Sequence, residues 1–318
     1  MKAIVLKEQG GVENLILSEL PIPKITPDDV LVNVKAISIN PADTYIRKEK
    51  SLDYVFNGDN PKILGWDLSG TIVAIGDNVT GYKIGDDIFG VVNYPGHDHG
   101  GHGKAYAEYV AAPIKDVVFK PVGITHPEAA AATLAALTAW QPLSKAGIKP
   151  GGRVFITAAG GGVGHYAIQI AKHFGAYVIA LASAGKRDFL LSLGVDEHID
   201  YQSQKFEEIL KPVDLVFEAL RADHISRSME IIRPCGQLIS LWNPVAGTPY
   251  EGKAKEKKIN AYYNAVESNG MDMQVIADLL KSGRIRSHIS KIFKLEDMAL
   301  AHLEMETDHV QGKLVIIP

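Results

Sequence analysis

The strongest chemical signal in this sequence is a glycine cluster at residues 158–164, which reads AAGGGVG. An apolar run at residues 154–156, typical of a buried parallel strand, precedes it. A segment with helical spacing of apolar residues follows it as far as Gly175. Glycines let a phosphate approach bare backbone N–H groups, and a helix N-terminus adds a favourable dipole and free donors. The sequence therefore predicts a site for the pyrophosphate of a dinucleotide rather than a turn that only reverses the chain.

The predicted cradle consists of consecutive residues, namely Ala159, Gly160, Gly161, Gly162, Val163 and Gly164. In Gly-x-Gly-x-x-Gly phase, Gly161 and Gly164 take the second and third glycine positions, and Ala159 replaces the first glycine. A glycine motif alone is weak evidence, but a second strand is predicted at the required distance, over residues 177–181. We expect the loop to bind the cofactor.

The residues after this second strand bear on the choice of cofactor. A site that prefers NAD places Asp or Glu ~20 residues beyond the glycines, where it binds the ribose hydroxyls. No acid stands in this region before Asp188. The region offers Ser183, Lys186 and Arg187 instead, and a hydroxyl with two cations suits a 2′-phosphate. The sequence predicts NADPH as the cofactor, with surface charges of a helix as the alternative explanation for Lys186 and Arg187.

Further candidate contacts follow later strands. Strands are predicted at residues 213–217 and 237–241, separated by helical stretches, and this alternation indicates βαβ units and a parallel sheet. Open α/β sheets bind ligands at the carboxyl ends of their strands. The candidates selected on this ground are Phe217, Ser240 and Leu241. Tyr201, after the third strand, is a candidate contact of the 2′-phosphate.

The segments on either side of this region look different. The first third reads as short strands with Gly, Pro, Asn and Asp turns, which indicates a β-rich domain of Greek-key or barrel type. The tail is predicted to contain two helices, at 273–281 and 296–304, and a strand at 313–317. The charged run at 251–258 is interpreted as a solvated loop.

Composition sets outer limits. The chain has 318 residues and 34.5 kDa, or about two domains at ~150 residues each. Its net charge of −4 gives no reason to expect a nucleic-acid or membrane partner. The single cysteine, Cys235, can form neither an internal disulfide nor a four-cysteine zinc site, which fits a reducing cytoplasm. No apolar stretch approaches the ~20 residues of a membrane span, and residues 1–6 are too short for a signal-peptide core.

Several motifs besides the glycine cluster carry a family resemblance. They are NPAD at 40–43, DTYIR at 43–47, GYKIGD at 81–86, YAEYV at 106–110 and GKLV at 312–315. Over nearly the whole chain they resemble the medium-chain dehydrogenase/reductase superfamily, and within it the zinc-free, zeta-crystallin-like quinone oxidoreductase group.

The resemblance implies a fold, an activity and an assembly. The expected fold is α/β, with a Rossmann-type doubly wound parallel sheet at residues 123–264. A β-rich GroES-like catalytic domain would cover residues 1–122, and residues 265–318 would return to it. The implied activity is NADPH-dependent hydride transfer to a quinone or to the conjugated double bond of an α,β-unsaturated carbonyl, by a homodimer.

The resemblance also bears on zinc. Zinc-dependent alcohol dehydrogenases of the superfamily place a cysteine where Asn40 stands, Gly-His-Glu where residues 65–67 read Gly-Trp-Asp, and another cysteine near Leu134. These ligands are missing here, so no catalytic zinc is expected. The loop at 97–102 carries His97, Asp98, His99 and His102. It could hold a divalent metal, but its spacing matches no zinc motif, and a polar loop is the default interpretation.

Without a metal, hydrogen-bond donors must stabilise the charge that hydride transfer leaves on the substrate oxygen. The resemblance assigns this role to the Asn40 amide and the Tyr45 hydroxyl, with Tyr54 as a looser candidate. The alternatives are that Asn40 is a turn residue before Pro41 and that Tyr45 only packs. Thr138 resembles the family threonine near the cofactor. No proton donor is assigned, since water can protonate the product.

Two other functions remain open. The chain could reduce a specialised biosynthetic substrate on the same scaffold, because function depends on the pocket and not on the fold. It could also be a non-catalytic NADPH-binding protein, either a redox sensor or a structural protein. Asn40 and Tyr45 beside an intact cradle favour catalysis.

Overall fold

The computed structural model describes residues 1–56, 58–94, 103–221 and 223–318. The chain forms two compact units: Met1–Leu137 with Val266–Pro318, and Thr138–Ala265. We call them the first and second unit. The predicted boundary after residue 122 precedes the division found here, which falls inside the helix His126–Lys145. The pattern of the sequence changes just before that helix, whereas the first part of the helix still packs within the first unit and only its later part within the second.

The described strands and helices are as follows. The strands are β1 (Lys2–Leu6), β2 (Leu15–Glu19), β3 (Asp29–Ser38), β4 (Asp67–Ile75), β5 (Asp87–Val91), β6 (Tyr109–Pro113), β7 (Val117–Phe119), β8 (Arg153–Ile156), β9 (Tyr177–Ala182), β10 (Glu197–Asp200), β11 (Val213–Glu218), β12 (Ile232–Ser240), β13 (Asn260–Tyr263), β14 (Ile289–Lys294) and β15 (Lys313–Ile317). The α-helices are α1 (Pro41–Lys48), α2 (His126–Lys145), α3 (Gly164–His173), α4 (Arg187–Ser192), α5 (Phe206–Ile209), α6 (Asp223–Ser228), α7 (Pro249–Lys257), α8 (Gly270–Lys281) and α9 (Met298–Met305). None of the helices in the described ranges is both long and apolar enough to cross a membrane.

The first unit is built on a seven-stranded sheet in the order β14-β15-β3-β4-β5-β7, with β6 also paired to β3. In β3, Val30, Val32 and Val34 are buried, as their alternation in the sequence predicts. The C-terminal strand β15 runs antiparallel to β3, and Val315 pairs with Ser38. This pairing brings the end of the chain beside the segment that leads into α1.

The second unit is a parallel sheet in the order β10-β9-β8-β11-β12-β13. Counted within the unit, this is strand order 3-2-1-4-5-6, the doubly wound order of dinucleotide-binding folds. The order reverses between β8 and β11, so the carboxyl ends of these two strands flank the expected ligand position. The predicted α/β fold with a Rossmann-type sheet is confirmed.

The interpretation of residues 251–258 as a loop is wrong, because α7 occupies most of this run. The hydroxyl of Thr248 accepts a hydrogen bond from the Tyr250 N–H, and Pro249 takes the first helical position. Lys255 and Glu251 form an ion pair one turn apart. A run dominated by charge shows no apolar periodicity, so its helix was missed while its end signals were present.

Candidate active site

The glycine loop of the second unit has the close packing that a phosphate cradle requires. Ala158 adopts a φ of 48°, and its carbonyl accepts a 2.9 Å hydrogen bond from the Gly161 N–H. A Cβ added at Gly164 would lie 2.4 Å from the Ala158 oxygen and 2.7 Å from Ala159 Cα. Only glycine at this position therefore lets α3 begin in close contact with the loop. The third glycine of dinucleotide-binding motifs has the same role.

Lys186 lies over this loop. A Cβ added at Gly160 would stand 2.6 Å from Lys186 Cδ, so the lysine stem crosses the face of that glycine. Burial of about half the side chain lowers the pKa of Lys186. Ser183, also half-buried, precedes the short 3-10 helix Ala184–Lys186. Arg187 is exposed, and its guanidinium lies 3.9 Å from the Asp188 carboxylate.

Most of the other predicted cofactor contacts lie at the carboxyl edge of the sheet. Phe217 pairs with Ile156 in the register of β11 and β8. The residue is fully buried, and its carbonyl accepts from the Thr157 N–H at 3.1 Å. The side chain of Ser240 is also buried, and its hydroxyl accepts from the Asn243 N–H at 3.1 Å. Leu241 follows directly, and its N–H donates to the Glu218 carbonyl.

The last two predicted contacts differ in position. Tyr201 follows β10, is half exposed, and donates its backbone N–H to the Ala182 carbonyl at 3.4 Å. Thr138 lies in α2 and is half-buried. The structure thus gathers the loop, Ser183, Tyr201, Phe217 and Leu241 at one edge of the sheet, and leaves Thr138 on a helix.

Glu218 at the end of β11 is a buried carboxylate that the sequence alone did not explain. It accepts from the hydroxyls of Thr157 at 2.6 Å and Ser228 at 2.5 Å, and from the Leu220 N–H at 2.9 Å. His224 Nδ1 lies 3.4 Å away. The carboxylate is therefore turned inward, where it fixes the loop that follows β11 beside the point of strand reversal.

In the first unit, Asn40 lies in a buried network with two opposite charges. Its Nδ2 donates to Asp67 Oδ2 at 2.8 Å, and its Oδ1 accepts from Lys313 Nζ at 2.5 Å. Lys313 also donates to the Ile39 carbonyl at 2.9 Å. Asp67 Oδ1 accepts from the backbone N–H of Leu134 at 3.0 Å. Both ends of the Asn40 carboxamide are therefore held by the fold, which a residue that only forms a turn before Pro41 would not require.

Asp43, in the first turn of α1 three residues after Asn40, is fully buried. Its Oδ2 accepts from the Asn40 backbone N–H at 2.6 Å, which caps the helix. Burial raises the pKa of Asp43 to about 7, the Asn40 N–H opposes the shift, and the nearby Asp67 adds to it. The buried Tyr106 hydroxyl nearby also helps to lower the pKa of Asp43. Asp43 therefore exchanges its proton near neutral pH.

A second buried network of hydrogen bonds holds the other end of α1. The Arg47 guanidinium donates to the Gly10 carbonyl at 2.6 Å and pairs with Glu306. Arg47 Nε donates to His302 Nδ1 at 3.3 Å, and His302 Nε2 lies 3.0 Å from the Tyr106 hydroxyl. Burial, with the Arg47 charge adding to it, lowers the pKa of His302 to about 3. The imidazole is therefore neutral at physiological pH, with its proton on Nε2.

The two predicted tyrosine donors differ in their surroundings. Tyr45 lies in α1 and is half-buried. Tyr54 lies in the 3-10 helix Lys50–Phe56 and is 66% exposed. Tyr45 is thus carried on the same short helix as Asn40 and Asp43, whereas Tyr54 is not.

Two of the positions that hold zinc ligands in the zinc-dependent relatives, Asn40 and Leu134, meet at Asp67 in this structure. Asn40 and the N–H of Leu134 both bond to Asp67, as described above. The Trp66 side chain is buried and packs edge-on against Tyr94 at 5.3 Å. Within residues 1–56, 58–94, 103–221 and 223–318, no group of three or more His, Cys, Asp or Glu could hold a metal ion. The predicted alternative site, His97, Asp98, His99 and His102, lies outside the described residues.

Sequence reasoning missed Lys313, Asp67 and Glu218 as parts of the site. Lys313 belongs to the family motif GKLV, and nothing in its local sequence distinguishes a buried lysine from an exposed one at the start of a strand. Asp67 and Glu218 stand at the start and end of strands, where the sequence cannot say whether a carboxylate turns inward.

A Rossmann unit with a phosphate cradle and a β-rich unit on one chain define a two-domain NAD(P)H oxidoreductase. Two family models match: an alcohol dehydrogenase GroES-like domain at residues 26–122 and a zinc-binding dehydrogenase at residues 193–316. The chain belongs to the medium-chain dehydrogenase/reductase superfamily, in its quinone oxidoreductase-like group.

Three similar proteins support this assignment. The 2-methylene-furan-3-one reductase of Solanum lycopersicum is 33% identical, over 100% of this chain and 79% of its own. The chloroplastic NADPH-dependent alkenal/one oxidoreductase of Arabidopsis thaliana is 31% identical, over 100% of this chain and 80% of its own. The structure of the quinone oxidoreductase from Coxiella burnetii matches with a TM-score of 0.91 and 34% identity, over 100% of this chain and 99% of that one.

Proposed function

We propose that the protein is a zinc-independent, NADPH-dependent reductase that transfers hydride to a quinone or to the conjugated double bond of an α,β-unsaturated carbonyl. The observation that carries this proposal is the network of Asn40, Asp67, Lys313 and the Leu134 N–H. Asn40 and Leu134 stand where, by the family resemblance, zinc-dependent relatives carry cysteine ligands, and their hydrogen bonds to Asp67 support zinc independence. The family model described as a zinc-binding dehydrogenase matches residues 193–316, which include none of those ligand positions.

The second unit supports NADPH as the reductant. The aliphatic stem of Lys186 crosses the face of Gly160 in the glycine loop, which supports a role for this lysine in binding NADPH. No acid stands in the sequence between the second strand and Asp188, where a site that prefers NAD carries the carboxylate for the ribose hydroxyls, and this supports NADPH. A bound nicotinamide supplies the hydride, and the protein supplies binding, orientation and electrostatic stabilisation.

The residues of the first unit have the donors that this reaction needs. Hydride addition to a quinone or to the β-carbon of an enone leaves negative charge on the substrate oxygen, and fixed donors stabilise such charge. Asn40 and Tyr45 are the donors that we assign, with Tyr54 as a peripheral contact. Water can then protonate the product, so no dedicated acid is required. The printed names of the tomato and Arabidopsis relatives describe reductions of this substrate class.

Assembly and compartment are part of the same proposal. We propose a homodimer formed at the edge of the second unit's sheet, where β13 is the terminal strand. We further propose a reducing, cytoplasmic compartment, which the exposed free thiol of Cys235 supports.

The test compares NADPH and NADH as donors to 1,4-benzoquinone and to 3-buten-2-one, followed by nicotinamide absorbance. We expect NADPH to be oxidised much faster than NADH. Lys186→Met should raise KM for NADPH by ~10-fold or more, because a charge-assisted hydrogen bond contributes ~1.5–3 kcal/mol, and should leave KM for NADH nearly unchanged. The matched control is Lys205→Met, which removes an exposed lysine of the same unit.

Two results would contradict this assignment. A clear preference for NADH would remove the role given to Ser183 and Lys186. Tight NADPH binding without turnover of either acceptor would favour a redox sensor, a structural protein or a reductase of a specialised substrate. The preferred acceptor would otherwise name the substrate class.

A further inference from the structure

The orientation of the Asn40 carboxamide is fixed by the chemistry of its two neighbours. The Lys313 ammonium can only donate, and it lies 2.5 Å from Oδ1. The Asp67 carboxylate accepts, and its Oδ2 lies 2.8 Å from Nδ2. A reversed amide would set donor against ammonium and acceptor against carboxylate. Asn40 therefore has one stable orientation, set by one cation and one anion.

Both charges are buried and are themselves held by the backbone. Lys313 is 2% exposed and Asp67 is 0% exposed. Lys313 is bound to the Ile39 carbonyl, and Asp67 to the Leu134 N–H. Burial raises the pKa of Asp67 and lowers that of Lys313, and the attraction between the two groups, 3.9 Å apart, opposes both shifts. At low dielectric, such charges polarise the amide hydrogen-bonded between them.

The amide keeps one hydrogen that the fold does not use. Nδ2 carries two hydrogens and gives one of them to Asp67. In the part of the chain that the structure describes, the other hydrogen has no acceptor. The ammonium at the oxygen favours the charge-separated form of the amide and makes the remaining N–H a stronger donor, while the carboxylate at the nitrogen holds the amide in its orientation.

We propose that Lys313 and Asp67 are positioning residues for the reduction: together they orient and polarise the Asn40 carboxamide, whose second N–H stabilises the charge on the substrate oxygen. Lys313 thus supplies, through Asn40, the fixed positive charge that a metal would supply directly. This inference rests on the proposed function, because it requires a substrate oxygen that gains negative charge. Its partner is an oxyanion, either an enolate or a quinol anion.

The first experiment measures kcat and the dissociation constant of NADPH for four variants. Lys313→Met should lower kcat by ~10-fold or more, since loss of a whole oxyanion donor costs ~10²–10³. NADPH affinity should stay within about twofold, because the cradle is untouched. Lys313→Arg keeps the charge and should retain more activity than Lys313→Met. Lys291→Met, which removes an exposed lysine of the neighbouring strand β14, is the matched control.

The double variant Asp67→Asn, Lys313→Met separates polarisation from charge compensation. It leaves no unpaired buried charge, so it should fold even where Lys313→Met does not. If Lys313 only compensates the charge of Asp67, the double variant regains wild-type kcat, and the proposal is overturned. If Lys313 and Asp67 polarise Asn40, kcat stays low although thermal stability recovers.

The second experiment needs no turnover. 4-Nitrophenol is titrated by its visible absorbance in the presence of protein saturated with NADP⁺. Its phenolate imitates the enolate oxygen, so the wild-type protein should lower the pKa of the bound phenol, and the double variant should abolish at least ~1 unit of that shift. Equal shifts in both proteins would overturn the proposal.

Failure of the proposed function gives a different pattern. A wild-type protein that reduces neither acceptor, yet binds the phenolate more tightly than the double variant does, would refute the reductase and retain the oxyanion site. A wild-type protein that reduces an enone but shows no preference for phenolate over phenol would keep the reductase and refute the role of Lys313 and Asp67.

Discussion

Asp43 shows how burial of a single side chain changes its titration. Its folded-state pKa of about 7 lies above the ~3.9 of an unfolded Asp. Between those values the folded protein holds a proton that the unfolded chain has released. The free energy of unfolding therefore falls as pH rises from about 4 to about 7, by on the order of 4 kcal/mol for this group, and levels off above it.

The variant Asp43→Asn tests this reasoning, because asparagine can still accept the Asn40 N–H and does not titrate. We expect the Tm of the variant, minus that of the wild type, to increase between about pH 5 and about pH 8. Thermal unfolding at several pH values measures it. Asp188→Asn, at an exposed carboxylate, is the control and should give a difference that varies little with pH. A constant difference for Asp43→Asn would show that Asp43 is ionised throughout.

At the scale of single residues, the sequence identified donors but not their partners. Asn40 and Tyr45 were selected from the neighbouring motifs NPAD and DTYIR, whereas Lys313 lies 273 positions from Asn40. No local pattern can predict a contact at that separation. It depends on β15 pairing with β3, and that pairing becomes visible only in the folded sheet.

At the scale of elements, the strand–loop–helix unit around the glycines was predicted well, because its requirements are local. β8 covers the predicted apolar run, and α3 begins at the third glycine position, Gly164. The helix α7 was missed for the opposite reason: its stability comes from end capping and ion pairs on a solvated surface, which a search for apolar periodicity does not detect.

Gly164→Ala tests the packing of α3 on the glycine loop. The new methyl group would overlap the Ala158 oxygen, so the loop must shift, at a cost of ~1–3 kcal/mol in the free energy of unfolding. NADPH affinity should fall with it, since the shifted backbone N–H groups no longer converge on the phosphates. Nicotinamide fluorescence titration and thermal unfolding measure the two effects.

Gly252→Ala in α7 is the matched control. A Cβ at this position meets nothing within 4 Å, so the substitution should leave NADPH affinity unchanged. It should also raise stability slightly, because alanine favours a helix over glycine by ~0.5–1 kcal/mol. Unchanged NADPH binding by Gly164→Ala would show that the third glycine position is not tightly constrained.

At the scale of the whole molecule, distant segments of the chain meet around Asn40. Asn40, Asp67, Leu134 and Lys313 come from four separate segments, and one network of hydrogen bonds joins them. The family resemblance predicted which positions lack zinc ligands. It did not predict the contact between Lys313 and Asn40, because that contact depends on the pairing of β15 with β3.

Removal of metal tests this arrangement in the intact protein. Because an ammonium is hydrogen-bonded to Asn40 where a zinc ligand would stand, dialysis against EDTA should leave kcat for NADPH oxidation unchanged, and elemental analysis should find zinc far below one equivalent per chain. Stoichiometric zinc, with activity lost on chelation and restored by zinc alone, would refute zinc independence. The triple substitution of His97, His99 and His102 by alanine then locates the metal. Zinc lost with these histidines would belong to their loop, whereas zinc retained without them would have to displace Lys313 from Asn40.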